Sequence, residues 1–362
     1  MTASAKTCIT SHSGSILTRN GYGLYTNPFR GFGSGRVRFQ FDDPTYDPRG
    51  NWYHSGAQWV QVSTSPNIWD YWREATDWSF EFGGVSYDSQ ARIKSPCSVL
   101  VANLEGVTDI GYIFQLCTNI HDIYNFYAPD VTNVQHAFDT CANLETCEIL
   151  SLGSATSFYR LFAGCRSMEK APMFDFPAEV TDVSVMFGGC TSLVNVPLYD
   201  TSHVTNFGSY SGSTWGMFGG CTSIEHVPQF DTGAATDMSG MFYGCSSLVN
   251  TPVFNTANCH YFINMFTNCT SLKHVPQYDM TGCNATIGGC RSMFYGCTGV
   301  EDGALALYDR MLVQTGGYPP YTGSTVTAHS RNDMFKNCGA NTASGLAELQ
   351  QIPTSWGGLK EE

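Results

Sequence analysis

The sequence predicts a repeat solenoid, a fold in which one supersecondary unit recurs and each copy buries its neighbour. Three observations predict it. A Phe stands three residues before a Cys nine times, at Phe114/Cys117, Phe138/Cys141, Phe162/Cys165, Phe187/Cys190, Phe218/Cys221, Phe242/Cys245, Phe266/Cys269, Phe294/Cys297 and Phe335/Cys338. Successive cysteines are 24, 24, 25, 31, 24, 24, 28 and 41 residues apart. Residues between the pairs recur as well, so the period belongs to a whole unit. The chain divides accordingly into an N-terminal arm and aromatic cap (1–95), the repeats (96–300) and a C-terminal cap with an atypical last repeat (301–362).

Residues 1–95 carry no repeat but hold Trp52, Trp59, Trp69, Trp72 and Trp78, five of the seven tryptophans. The first 30 residues read as an extended Gly/Ser/Thr-rich arm. Residues 37–41 (VRFQF) and 58–62 (QWVQV) alternate as half-buried strands. Pro44, Pro48 and Gly50 mark a loop between them. Asn67 to Trp78 reads as a short aromatic helix. Two roles are compatible for this segment: sealing the first coil, because a terminal repeat cannot expose a bare core, and docking to a larger particle.

Within the cleanest unit, Met241 and Phe242 are expected to close a helical turn, and Gly244 to permit the tight exit that a Cβ would obstruct. Cys245 is expected to point inward as a small buried hydrophobe. An apolar residue follows three positions later in nearly every copy, as at Ile120, Leu144, Leu193, Leu248 and Leu272. Pro stands seven after the Cys at Pro172, Pro197, Pro228, Pro252 and Pro276. Proline cannot donate to a ladder, so any paired strand must be very short or end there. An Asp or Asn column follows at Asp175, Asp200, Asp231, Asn255 and Asp279. Such residues set turns by bonding their own backbone. Calcium is the competing reading, but Gly-spaced acidic ligands within one loop are missing.

Fifteen cysteines suggest disulfides in a small secreted protein. Nine of them share one repeat position, however, and form a column. The expectation is reduced, packed thiols, with Cys259 and Cys283 also in the core at the place of Val131 and Val204 in other copies.

The unit Asp231-Thr-Gly-Ala-Ala-Thr-Asp-Met-Ser-Gly-Met-Phe-Tyr-Gly-Cys-Ser-Ser-Leu248 resembles the BspA-type leucine-rich repeats in the variant D-T-S-x-V-T-x-M-x-x-M-F-x-G-C-x-S-L. The resemblance covers about Asn103 to Thr298 well and Arg331 to Cys338 weakly. It implies a leucine-rich-repeat-like solenoid with a short parallel strand plus a helical turn per coil of about 24 residues. That family includes bacterial surface adhesins. Chains with an N-terminal segment like Val37-Arg-Phe-Gln-Phe and Asn67-Ile-Trp-Asp70 resemble structural proteins of gut bacteriophages and prophages, more loosely.

Insertions interrupt the repeats at 206–215, 281–289 and 305–330. Solenoid insertions project from one face, often the binding face, and Tyr, Ser and Gly suit adaptable recognition. Tyr210, Trp215, Tyr318 and Tyr321 are the candidate contacts, with a plain solvated loop as the alternative. His226 and His274 share a repeat position five after the column Cys. They are also binding candidates, although an exposed polar stripe with Asp122, Lys170 and Asn195 fits them better than a metal site. Glu301 to Gln314 reads as an amphipathic helix and Ala343 to Gln351 as a second.

A net charge of -13 without a basic run disfavours nucleic acid and anionic membranes as partners. No stretch of 18 apolar residues suggests a membrane span, and the N-terminus lacks a signal-peptide h-region. No P-loop, nucleophile elbow, zinc spacing or C-x-x-C pair is present, so no cofactor and no metal are expected. The reading is a non-enzymatic bacteriophage virion surface protein (capsid decoration, head fibre or tail fibre). Residues 1–95 would meet other virion proteins, and the loops a host protein or glycan; an oligomer is compatible. The alternatives are a bacterial cell-surface adhesin and a glycan-active depolymerase.

Overall fold

A computed structural model of the chain describes residues 17–19, 22–24, 35–42, 44–48, 57–73, 97–209, 215–283, 289–314 and 333–361. Strands β1 (Leu17–Arg19) and β2 (Tyr22–Leu24) form an antiparallel pair. Strands β3 (Gly35–Phe41), β4 (Ala57–Thr64), β5 (Asn67–Arg73), β6 (Cys97–Asn103), β7 (Ile120–Tyr127) and β8 (Thr146–Ser151) make one sheet in the order β4-β5-β3-β6-β7-β8. Pairing is antiparallel from β4 to β6 and parallel across β6, β7 and β8.

Both expected N-terminal strands lie inside β3 and β4. Phe39 and Phe41, two residues apart on one face, are buried with Trp69. The helix expected over Asn67 to Trp78 is corrected: Asn67–Arg73 is strand β5. Its register with β3 puts Arg38 opposite Asp70, where the guanidinium donates to both carboxylate oxygens at 2.7 and 2.9 Å. Pairing across the sheet outweighs the local spacing of the tryptophans, and aromatic residues suit strands well.

The expected solenoid of a short parallel strand plus a helical turn per coil is also corrected. The described fold is a mixed sheet followed by stacked hydrogen-bonded turns. Its two α-helices, α1 (Ala304–Gln314) and α2 (Ala343–Leu349), both come after the repeats. The backbone supplies the reason. Residues two before the Phe are left-handed at Tyr112, His136, Arg160, Val185, Gly240, Asn264 and Ser292. Those two after it are left-handed at Leu116, Thr140, Gly164, Gly189, Gly220, Gly244, Asn268, Gly296 and Asn337. A left-handed residue on each side of the Phe stops a right-handed helical turn from propagating.

The proline column limits the strands. Tyr124 and Glu148 occupy that place in β7 and β8. From Pro172 onward, regular strands give way to single parallel bridges such as Lys170 with Asn195 and His274 with Asp302.

What joins the copies is a ladder at the Phe-x-x-Cys segment. Each of the nine Phe N–H groups donates onward. Phe138 reaches Leu161 at 2.9 Å, Phe242 reaches Met265 at 2.9 Å, and Phe335 ends the series on Trp356 at 3.0 Å. The nine rings form one buried stack with neighbouring centroids 5.0–5.9 Å apart and planes within 16°. Seven column thiols donate to the Phe carbonyl of the preceding copy at 2.9–3.2 Å. Among the described residues, thirteen cysteines stand as thiols rather than in disulfides, all buried except the half-buried Cys283.

The Asp/Asn column forms turns. Asp200, Asp231, Asn255 and Asp279 accept from the backbone N–H two residues on at 3.0–3.3 Å. The buried Thr that follows bonds the next copy: Thr201 Oγ1 donates to the Asp231 carbonyl at 2.7 Å, and Thr256 Oγ1 to the Asp279 carbonyl at 2.7 Å. At the C-terminal end, the Glu348 carboxylate on α2 accepts from the N–H groups of Gly303, Ala304 and Leu305 at 2.8–3.2 Å and so caps α1.

Two expectations follow. Phe218→Ala removes a ring from mid-stack and should cost about 3–5 kcal/mol. Cys221→Ala should cost only about 1–2 kcal/mol, because the Phe187 carbonyl keeps the Cys190 N–H. Urea unfolding of the two variants checks the ranking. Burial, then neighbouring thiols, raises Cys165, Cys221 and Cys269 well above the ordinary 9.0, and burial raises Cys190 to about 12. Above pH 9.0 the unfolded chain therefore holds fewer protons than the folded one, and stability falls as pH rises. The slope should approach about 1.4 kcal/mol per pH unit per buried thiol. Unfolding under reductant at about pH 7 and about pH 10 reads it, and Cys→Ala variants should flatten it.

Candidate functional site

The turn around each Phe has an outer side. With the Phe and Cys fixed inside, the residue after the Phe runs Gln115, Asp139, Ala163, Gly188, Gly219, Tyr243, Thr267, Tyr295 and Lys336 along the stack. In the first copies this row meets Tyr112, His136 and Arg160, which stand two before the Phe in the left-handed conformation. Stacking in register sets the groups side by side.

Asp139 is the hub. Its carboxylate accepts from Gln115 Nε2 at 3.2 Å, His136 Nδ1 at 2.9 Å and Thr140 Oγ1 at 3.0 Å, and from Arg160 Nε and Nη2 at 3.2 and 3.3 Å. Burial by itself raises a carboxyl pKa. Here the hydrogen bonds from His136 and Arg160 and the guanidinium charge outweigh burial and hold Asp139 below its usual value. The same partnership raises Arg160 against its own burial. An ionised Asp139 facing Nδ1 makes that nitrogen the donor and leaves Nε2 to face elsewhere. The His136 ring stacks on Tyr112 (4.7 Å, 13°) and meets Tyr159 edge-on (5.2 Å, 78°).

Further along, the side chains disappear. Ala163 and Gly164 are followed by Gly188 and Gly189, with the Gly164 N–H bonded to the Gly188 carbonyl at 2.7 Å. The Trp215 indole lies over this floor. A Cβ on Gly189 would stand 2.9 Å from Trp215 Cζ3, and one on Gly220 3.1 Å from Cζ2. Trp215 covers the glycines and remains 36% exposed.

Of the residues singled out from sequence, Tyr210, Tyr318 and Tyr321 lie outside the described residues. Trp215 lies on the glycine floor. His226 is exposed. His274 is exposed, with Nδ1 2.8 Å from Asp302 Oδ1. Both histidines belong to the turn that carries Lys170, Asn195 and Asn250, all exposed. Among the described residues, no group of three or more His, Cys, Asp or Glu is placed to hold a metal ion. The Asp139 group escaped sequence reasoning, although one signal was present: the position after the Phe changes chemistry from copy to copy while the Phe does not.

Asp139→Asn should destabilise the protein by about 1–3 kcal/mol, leaving Arg160 without its carboxylate. Because the folded pKa lies below the ordinary 3.8, this stabilisation is complete above that value and fades as pH falls through the folded value. Acid unfolding followed by circular dichroism should show that component in the native chain and not in the variant.

No curated protein and no solved structure matches the chain. A family model matches twice, at residues 108–214 and 213–306. Each match holds four of the nine Phe/Cys pairs, and the two meet in the insertion before Trp215. Together they span more than half of the 362 residues, and the chain belongs to the family described as Mycoplasma protein of unknown function, DUF285.

Proposed function

We propose that this chain is a non-enzymatic recognition protein displayed on a surface, and that the outer side of the Phe turns is its contact face. One observation carries the proposal: a repeated interior holds, on the outer side of its turns, a row whose chemistry changes from copy to copy, half-exposed at Gln115, Tyr243 and Tyr295 and exposed at Lys336. Repeat proteins use such rows for binding. The Asp139 carboxyl does not suit proton transfer. Its lowered pKa keeps it ionised, and five hydrogen bonds occupy it, whereas a catalytic acid is tuned towards the working pH. Tyr210, Tyr318 and Tyr321 stay contact candidates in this reading, as do His226 and His274 on a neighbouring turn.

The finer reading is a bacteriophage virion surface protein, a capsid decoration or fibre component whose residues 1–95 attach to other virion proteins. The resemblance of the N-terminal segment to phage structural chains supports it. The family description, which names a cellular organism, supports a second reading: an adhesin on the bacterial cell surface. Labelled antibody against the chain, imaged on purified particles and on intact cells, separates the two. Label on particles is expected, label on cells alone selects the adhesin, and label on neither overturns surface display.

A further inference from the structure

We infer that the segment after the proline column is a docking surface for a cationic, apolar segment of another protein, independently of the function proposed above and on a surface separate from the outer side of the Phe turns. The position eight after the column Cys carries Met173, Leu198 and Val253, which are 72%, 67% and 61% exposed. In the two copies before the prolines begin, the same position is buried, as Asn125 and Ile149. An aromatic packed against the core follows each exposed residue, at Phe174, Tyr199 and Phe254. An exposed polar residue comes next, at Asp175, Asp200 and Asn255. Gln229, Phe230 and Asp231 repeat the order of outer, inner and outer. That alternation belongs to an extended chain, so the two outer positions lie about 7 Å apart.

Hydrogen bonds between copies turn these positions into two rows. Tyr199 Oη donates to the Pro172 carbonyl at 2.6 Å, and Gln229 Nε2 to the Val253 carbonyl at 3.4 Å. Thr201 Oγ1 and Thr232 Oγ1 donate to the Asp231 and Asn255 carbonyls at 2.7 and 2.9 Å. One row is apolar, interrupted at Gln229 and widened by the half-exposed Pro197, Pro228 and Pro252. The other is acidic at Asp175, Asp200 and Asp231.

Charge selects the occupant. Residues 171–272 hold seven Asp or Glu and no Lys or Arg, although the whole chain has 18 Lys and Arg. Among the described residues, no group of three or more His, Cys, Asp or Glu suits a metal ion, so the acidic row is not a metal site. A second copy laid row on row would set carboxylate against carboxylate. A Lys or Arg side chain satisfies both rows at once, because its aliphatic stem covers apolar surface while its charged head reaches a carboxylate. Apolar residues beside it would cover Met173, Leu198 and Val253.

The test uses the full chain and three labelled synthetic peptides of equal length, one alternating Lys and Leu, one Lys and Ser, one Glu and Leu. Fluorescence anisotropy reads binding. The Lys/Leu peptide should bind about tenfold more tightly than either control, or better. The repeat itself supplies substitutions that keep the fold: Gln229 stands at the apolar position and Asn255 at the acidic one. Leu198→Gln with Val253→Gln should weaken Lys/Leu binding about tenfold. Asp200→Asn with Asp231→Asn should weaken it by a similar factor and flatten its dependence on salt. Glu145→Gln, at an exposed position in an earlier copy, should leave it unchanged. Thermal unfolding by circular dichroism accompanies each variant. Equal binding of the Lys/Ser and Lys/Leu peptides reduces the effect to unspecific charge and overturns the docking surface. Binding indifferent to both double variants overturns it too, as does a chain that binds none of the peptides. Sedimentation of the chain alone reads the competing occupant: self-association that Leu198→Gln with Val253→Gln abolishes assigns the rows to a second copy and overturns the foreign partner.

Discussion

The rest of the structure depends on the Phe carbonyl, which accepts two hydrogen bonds. One comes from the Cys N–H three residues on, closing the turn; the other comes from the Cys thiol of the next copy, joining the two. The first sets the spacing of Phe and Cys, and the second sets the register between copies. With register fixed, the phenyl rings fall into a stack. That stack contributes more than the thiols: burying a Phe is worth about 1.5–3 kcal/mol and an aromatic pair about 0.5–1.5 more, against about 1 for a typical hydrogen bond. The thiol therefore directs the register, and the rings supply most of the stability.

The same arrangement determines what the surface can do. The inner positions of the turn are committed to Phe, Cys and the left-handed residues around them. The position after the Phe is free to vary, and the stack presents its variants in a row. Early in the row this freedom produces the Asp139 cluster, a carboxylate kept ionised although almost fully buried. Burying a charge is costly unless it is paired and hydrogen-bonded, and here four side chains provide the bonds. Mid-row, the residues shrink to glycine and Trp215 lies across them. Ordered polar groups and a part-exposed indole thus lie on the outer side of the turns.

The departures from expectation have local causes. A helical turn at Met241 and Phe242 is what the resemblance to the leucine-rich repeats implies. Backbone handedness decides otherwise, with a left-handed residue on each side of the Phe. Only some of the left-handed sites are glycine; Tyr112, His136, Arg160 and Val185 are ordinary residues held there by ladder bonds on either side. Segment Asn67–Arg73 became a strand because β3 lies beside it and pairs Arg38 with Asp70. That partner is some thirty residues away and invisible to any local pattern.

By itself the sequence determined the repeat, its period, the buried Phe and Cys columns, the turn-forming Asp/Asn column and the C-terminal helices. Each of these is a matter of composition and spacing within one unit. The prolines signalled in advance where regular strands would end. Tertiary structure alone decided that turns replace helices, that the N-terminal strands join the first repeats in one sheet, and that Gln115, His136, Asp139 and Arg160 meet. The reason is physical. Those four residues span three copies of the repeat, and what brings them within hydrogen-bonding distance is the stacking distance between copies. A chain read one residue at a time does not contain that distance until the phenyl rings stack.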